Sequence, residues 1–136
     1  MLNYSNTITD EKSYSGLQMK EIKPVMKLII RGKKREFLSA IGKSLNLLLP
    51  TEANTSSRSD KLTALWLSPD EWMVHSNETI NSESNEYETE NLLNKNISKT
   101  NLGAVTDVTD QFVLINIKGD KIFDLYETGS PFNFND

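Results

Sequence analysis

The stretch that decides the fold is Leu65–His75, LWLSPDEWMVH, in which two apolar runs flank a polar tetrapeptide. The tetrapeptide Ser68–Glu71 predicts a tight turn, because proline at its second position fixes φ and aspartate at its third tolerates the bridge conformation. Both flanking runs are short and rich in strand-forming residues. We therefore predict a β-hairpin at the centre of a sheet, over about residues 61 to 76, with Trp66 and Trp72 close to its bend.

Outward from the hairpin, changes in periodicity mark the other elements. Val25–Arg31 is apolar and β-branched and predicts a firm strand. From Lys33 onward, apolar residues recur three or four apart, as on the buried face of a helix, until Pro50, which cannot continue that helix. Before the hairpin, the sequence predicts a weak strand at 17–22, a strand at 25–31, a helix at 33–48 and a polar loop at 51–60. After it, the sequence predicts a polar loop at 77–85, a helix at 86–98 and strands at 104–108 and 112–117. A final helix begins at 119–120, with Gly129 as its left-handed C-terminal residue.

The order β-α-β-β-α-β followed by a helix predicts an α+β fold. It is the order of a ferredoxin-like layer, an antiparallel sheet with helices on one face. At 136 residues the chain is long enough to bury one core. We expect a single domain over residues 16–136, preceded by a flexible tail at 1–15 that has no periodicity.

Composition excludes several classes of protein. The net charge of −4 argues against a sequence-independent nucleic-acid binder, which needs a basic face. Cysteine is absent, so disulfides, thiolate metal sites and cysteine nucleophiles are excluded. No apolar run approaches the roughly 20 residues that span a bilayer, and the polar N-terminus does not have the pattern of a signal peptide. The expectation is a cytoplasmic protein that contacts neither nucleic acid nor membrane.

Few residues carry candidate chemistry. His75 has no second metal-type ligand at short spacing, which favours a surface or sheet-edge histidine over a metal site. Asp107 and Asp110 could act in acid–base catalysis or bind a cation, but aspartates at a strand break more often hydrogen-bond the local backbone. Asp70 and Glu71 are turn residues first. The residues therefore point to a binding or structural role, without a visible active site.

Four segments, read together, resemble one known family, the gamma subunit of heterotetrameric sarcosine oxidase. They are LLLPTEANT (Leu47–Thr55), ALWLSPDEWMV (Ala64–Val74), GAVTDVTDQFVLINIKG (Gly103–Gly119) and DLYETGSPFNF (Asp124–Phe134). These motifs occur in that family in this order and at fitting distances. The resemblance runs from about Gly16 to Phe134.

The resemblance implies a fold similar to the folate-binding domain of the aminomethyltransferase family, in a subunit without a catalytic group of its own. The whole enzyme demethylates sarcosine oxidatively to glycine, reduces oxygen to hydrogen peroxide and passes the one-carbon unit to tetrahydrofolate. The family places FAD, FMN, NAD and zinc in partner subunits, so we expect no catalytic residue, cofactor or metal in this chain. The implied partners are the alpha, beta and delta subunits.

The resemblance also suggests where an interface lies. Phe132 and Phe134 are predicted interface residues, because family members continue past this point whereas the sequence stops at Asp136. Terminal elements of the sheet are therefore expected to be missing, and the isolated chain is expected to form homo-oligomers. Trp72 is either a buried anchor or a further partner-facing residue.

Two alternatives remain beside the subunit hypothesis. The first is a stand-alone folate-binding protein of the aminomethyltransferase type, for which Asp107 is the only suitable pocket carboxylate. The second is a generic small interaction domain.

Overall fold

The structure, a computed structural model, describes residues 5–8, 12–80, 88–97 and 100–133. Its elements in chain order are β1 (Lys12–Tyr14), β2 (Leu17–Glu21), β3 (Lys27–Gly32), α1 (Arg35–Leu45), β4 (Ser56–Arg58), β5 (Leu62–Ser68), β6 (Glu71–Ser76), α2 (Glu88–Ile97), β7 (Gly103–Asp107), β8 (Ile115–Lys118) and α3 (Ile122–Gly129). One domain over residues 16–136 stays a prediction from sequence. By its internal contacts the chain consists of two compact units: unit 1, Met1–Lys23 with Val113–Asp136, and unit 2, Pro24–Phe112.

Unit 2 is the ferredoxin-like layer that the sequence predicts. Its five strands form an antiparallel sheet in the order β4-β5-β6-β3-β7, with β3 in the interior between β6 and β7. The chain passes through it as β3-α1-β4-β5-β6-α2-β7. This is the β-α-β-β-α-β order with the short edge strand β4 added before β5. The prediction of an α+β fold with an antiparallel sheet is confirmed.

The β5–β6 hairpin forms as the sequence predicts. Ser68 pairs with Glu71, so that Pro69 and Asp70 alone make the turn. The Ser68 hydroxyl donates a hydrogen bond to Asp70 Oδ1 at 2.9 Å, which holds the turn closed. An irregularity in register between Trp66 and Ser68 adjusts the strand to this short turn.

The core of unit 2 lies on one face of its sheet. Side chains alternate between the two faces of a sheet, so Leu28 and Ile30 of β3 lie on the same face. Val74 of β6 is paired with Leu28, and Ala64 of β5 is paired with Val74, so both also lie on this face. Both helices pack on this face. The cluster consists of Met26, Leu28, Ile30, Phe37, Ile41, Leu45, Leu47, Ala64, Val74, Leu93 and Ile97.

Two features of residues 33–60 differ from the prediction. Helix α1 ends at Leu45, earlier than Pro50 requires, because Asn46 adopts the left-handed conformation with φ 49° and its N–H bonds the carbonyl of Gly42. The segment predicted as a polar loop contains β4, which pairs with β5 at the edge of the sheet. Three polar residues carry too short a pattern to be identified as a strand from sequence.

The predicted strand pair after residue 103 separates into two sheets. β7 joins β3 in unit 2, whereas β8 pairs with β2 in unit 1. The predicted interruption at 109–111 is a turn in which Gln111 N–H donates to the carbonyl of Val108 at 3.0 Å. The chain leaves the sheet of unit 2 at this turn.

Unit 1 contains a three-stranded antiparallel sheet, in the order β1-β2-β8, and the helix α3. Gly16 closes the β1–β2 hairpin with a positive φ of 77°. β1 lies within residues 1–15, for which the sequence predicted a flexible tail. The sequence did not indicate this strand, because three residues before a glycine turn show no measurable period. The prediction for Gly129 is also wrong: it is the last residue of α3, and the glycines with positive φ in the described residues are Gly16 and Gly119.

Replacing Trp72 tests the packing beside the hairpin turn. Trp72 is 2% exposed, and its indole N–H donates to the carbonyl of Pro50 at 2.7 Å. Trp72→Ala should lower the free energy of unfolding by about 3–5 kcal/mol, because a large buried ring is lost. Trp72→Phe should cost less, since it removes mainly the hydrogen bond. Urea unfolding of both variants measures this, with Trp66→Ala, at a half-buried position directly opposite, as the control. A Trp72→Ala protein as stable as wild type would contradict the assignment.

Candidate interaction surface

The acidic turn residues of the hairpin are held by basic residues at the end of β3. Glu71 Oε2 lies 3.1 Å from Arg31 Nη2, and Asp70 Oδ2 lies 3.4 Å from Lys33 Nζ. The hydrogen bond from the Ser68 hydroxyl, and then the nearby positive charges of Lys33 and Arg31, lower the pKa of Asp70 from its usual value. These contacts fit the interpretation of both acids as turn residues.

Asp107 and Asp110 lie in the turn where the chain leaves β7. Asp107 Oδ1 accepts a hydrogen bond from the Thr109 backbone N–H at 2.8 Å. Asp110 is exposed to solvent. Asp107 therefore makes the local backbone bond typical of aspartate at a strand end.

Lys27 is a buried charge that the sequence reasoning missed. Its side chain is 2% exposed, and Nζ donates to the carbonyl of Val25 at 3.0 Å. Burial lowers the pKa of Lys27, whereas the negative charges of Asp110 and Asp107 raise it by a smaller amount. The sequence signal that could have indicated a buried lysine is its position within the apolar run VMKLIIR. The residues of such a run lie in a strand that is covered on both faces, with little access to water.

His75 lies half-buried near the end of β6. Its Nδ1 is 2.9 Å from the carbonyl oxygen of Ser76, which can only accept, so Nδ1 carries the proton in this contact. Within residues 5–8, 12–80, 88–97 and 100–133, no three His, Asp or Glu side chains are grouped to hold a metal ion. This placement agrees with a histidine at a sheet position.

Of the three predicted interface residues, the structure describes two. Trp72 is buried beneath the hairpin turn, which corresponds to the buried-anchor alternative. Phe132 lies beyond α3 and is 61% exposed. Phe134 lies outside the described residues.

The described residues of unit 1 include several exposed apolar side chains. In the described part of the chain, every apolar side chain that is fully buried belongs to unit 2, and α3 contains no buried residue. Phe123 and Tyr126 stand three residues apart on α3 and hence on the same side of it, with Phe123 49% exposed. The exposed large apolar residues of unit 1, here called the unit 1 apolar set, are Tyr14, Val113, Ile115, Phe123, Tyr126 and Phe132.

The unit 1 apolar set has the composition of a contact surface. Phenylalanine and tyrosine are enriched in protein–protein interfaces, and large exposed apolar areas mark sites of association. Sequence reasoning named Phe132 from the resemblance but did not name Ile115 of β8 or Tyr126 of α3 as interface candidates. In the described residues, no helix has the length and apolar character needed to cross a membrane.

Comparison with known proteins identifies a similar fold. No protein-family profile matches the sequence, and no curated protein is similar to it. Among solved structures, it is similar to a chain of the heterotetrameric sarcosine oxidase from Corynebacterium sp. U-96, in complex with pyrrole 2-carboxylate, with a TM-score of 0.71 at 17% sequence identity. The match covers 86% of this chain and 57% of that chain, so this chain spans little more than half of that chain's length. At this identity the similarity establishes the fold.

The charge on Lys27 should make stability depend on pH. Because burial lowers its pKa in the folded state, the unfolded chain binds more protons between that value and the ordinary pKa of about 10.4. The Lys27 contribution to stability should therefore rise with pH in this window. Relative to Lys27→Met, wild type should gain stability from pH 7 to about pH 10, as measured by urea unfolding.

Exposed Lys61 supplies the control for this measurement. Lys61→Met changes the net charge equally, so its stability relative to wild type should not show the same rise. A difference between wild type and Lys27→Met that stays constant across the pH range would contradict the prediction.

Proposed function

We propose that this chain is a non-catalytic subunit of a multi-subunit oxidase, equivalent to the gamma subunit of heterotetrameric sarcosine oxidase. The observation that carries the proposal is the unit 1 apolar set, since a helix and a strand with aromatic and branched side chains in solvent are suited to contact with another chain. The fold similarity to a chain of a heterotetrameric enzyme supports it independently.

The contacts of the polar candidates agree with a non-catalytic role. Asp70 and Glu71 pair with lysine and arginine, and Asp107 bonds a backbone N–H. A general acid or base needs a perturbed pKa and a place in a pocket. A titratable group with a lowered pKa, Lys27, is buried rather than presented to a substrate.

In the proposed assembly the chemistry belongs to other chains. The alpha and beta subunits would hold FAD, FMN and NAD, the delta subunit would hold zinc, and the complex would act in the cytoplasm. The reaction would be oxidative demethylation of sarcosine to glycine, with transfer of the one-carbon unit to tetrahydrofolate. The contribution of this chain would be structural, through contact with the larger subunits.

The isolated chain should have no activity of its own. Purified alone, it should show no flavin absorbance, release no peroxide from sarcosine and give no heat of binding with tetrahydrofolate. Flavin absorbance or peroxide release would overturn the subunit proposal. Stoichiometric tetrahydrofolate binding would instead favour the stand-alone folate-binding protein.

Substitutions in the unit 1 apolar set should weaken association and spare stability. Phe123→Ser and Phe132→Ser should each reduce copurification with coexpressed alpha, beta and delta subunits by about tenfold or more, as expected for an aromatic anchor of an interface. Their melting temperatures should fall much less than that of Trp72→Ala, because Phe123 is 49% and Phe132 61% exposed, whereas Trp72 is 2% exposed.

Leu48→Ser is the matched control. Leu48 is 81% exposed but lies in unit 2, so its replacement removes an apolar side chain that is at least as accessible, from a different unit. Equal weakening by all three substitutions would show that solubility, and not a specific contact, controls recovery of the complex. Unchanged copurification of the Phe123 and Phe132 variants would exclude this surface.

A further inference from the structure

We propose that the outer edge of β7 pairs antiparallel with β7 of a second copy of this chain, joining two unit 2 sheets about a twofold axis at Val105. The inference concerns a surface other than the unit 1 apolar set and does not rest on the proposed function. It combines three observations. β7 is an edge strand whose backbone N–H and C=O groups at alternate residues point away from β3. β7 has few of the features that block pairing with another strand. One end of β7 is acidic and the other basic, so that two antiparallel copies bring opposite charges together.

The backbone of β7 is paired on one side only. In the part of the chain that the structure describes, β7 has β3 as its single neighbour. Val108 N–H points toward β3, since it donates to the carbonyl of Lys27 at 2.9 Å. Because these groups alternate in direction along an antiparallel strand, Ala104 and Thr106 also face β3. The N–H and C=O groups of Gly103, Val105 and Asp107 then face outward.

β7 has few of the features that protect an edge strand. It contains neither proline nor lysine, and its register with β3 runs without a bulge. The opposite edge strand, β4, has three residues and ends in an arginine. β7, with five residues and exposed Ala104 and Thr106, is the better template for another strand.

The two ends of β7 carry opposite charge. At the Gly103 end, a shallow concavity of about 530 Å³ is lined by Arg31, Lys33, Lys34 and Asn101. At the other end, Asp107 closes the strand, and Asp110 follows in the turn. In an antiparallel pair centred on Val105, Asp107 of each copy lies opposite Gly103 of the other, which lines this concavity together with Lys34.

Gly103 lines the concavity and carries no side chain. A Cβ atom there would lie 2.3 Å from Phe37 Cε2 and 2.4 Å from the carbonyl oxygen of Arg31, so the position stays without a side chain. Two of the cations, Arg31 and Lys33, already pair with Glu71 and Asp70. Lys34 makes no ion pair with a described residue, and is the cation left to receive a carboxylate from the second copy.

Sedimentation velocity of the full chain over a concentration series tests the proposal. A monomer–dimer equilibrium is expected that weakens as salt is raised, because the paired charges lie at an accessible edge. Asp107→Asn keeps an oxygen that can accept from Thr109 but removes the charge at both symmetric contacts. It should raise the dimer dissociation constant by about 2- to 30-fold. Asp60→Asn, at an exposed site away from β7, should leave the dissociation constant unchanged.

A backbone variant tests the strand pairing itself. Val105→Pro removes an outward N–H at the twofold axis, at an edge position where proline does not break a bond to β3, and should raise the dissociation constant about tenfold or more. Val105→Ala, which loses side-chain packing but keeps the N–H, should still dimerise. If Val105→Pro fails to fold, Asp107→Asn and the salt series decide the question.

Three outcomes would overturn the proposal. The first is a chain that stays monomeric up to about millimolar concentration, the weak limit of specific association. The second is a dimer that neither Asp107→Asn nor salt weakens. The third is a dimer lost in Phe123→Ser but retained in Val105→Pro, which would assign self-association to the unit 1 apolar set.

Discussion

The ring of Phe37 lies on a cross-strand pair of glycines, and the architecture of unit 2 depends on this contact. Gly32 of β3 is directly opposite Gly103 of β7, and a Cβ at either position would lie within 2.5 Å of the ring. The side chains of Ile41 and Leu45 follow Phe37 at intervals of four residues on the same face of α1. The ring thus fixes where α1 lies on the sheet, and it leaves no room for a side chain on β7 at Gly103.

The buried apolar side chains and the exposed ones are distributed differently between the two units. The core residues of β3, β5 and β6 face the two helices, so burial of unit 2 is concentrated on one face of its sheet. Unit 1 differs, since α3 contains no buried residue and its Phe123 and Tyr126 are 49% and 38% exposed. In the described residues, the buried apolar core therefore belongs to unit 2, and six of the ten exposed large apolar side chains belong to unit 1.

The polar side chains serve mainly to close turns. Ser68 and Asp70 hold the hairpin turn, and Asp107 with Thr109 holds the turn after β7. Thr109 Oγ1 also accepts a hydrogen bond from the Lys27 backbone N–H at 3.0 Å, which ties that turn to β3. In these two turns the side chains of Ser68, Asp107 and Thr109 are thus engaged in local hydrogen bonds.

The sequence by itself determined the elements whose signals are local. The proline turn of the β5–β6 hairpin, the helical spacing of α1 and the β-branched run of β3 were all predicted and found, because alternation, helical period and turn chemistry act within about ten residues. Element order then determined the α+β class. The interface candidate Phe132 came from the resemblance, and its exposure was found in the structure.

Only the tertiary structure decided which strands pair and which side chains are covered. The sequence could not show that β8 joins β2 while β7 joins β3, since both runs have the same local pattern and differ only in distant partners. The burial of Lys27 and the contact of Phe37 with Gly103 likewise join residues that are far apart in sequence or on different strands. Pairing and burial depend on surfaces brought together by the whole fold, and the pattern of a single segment does not contain that information.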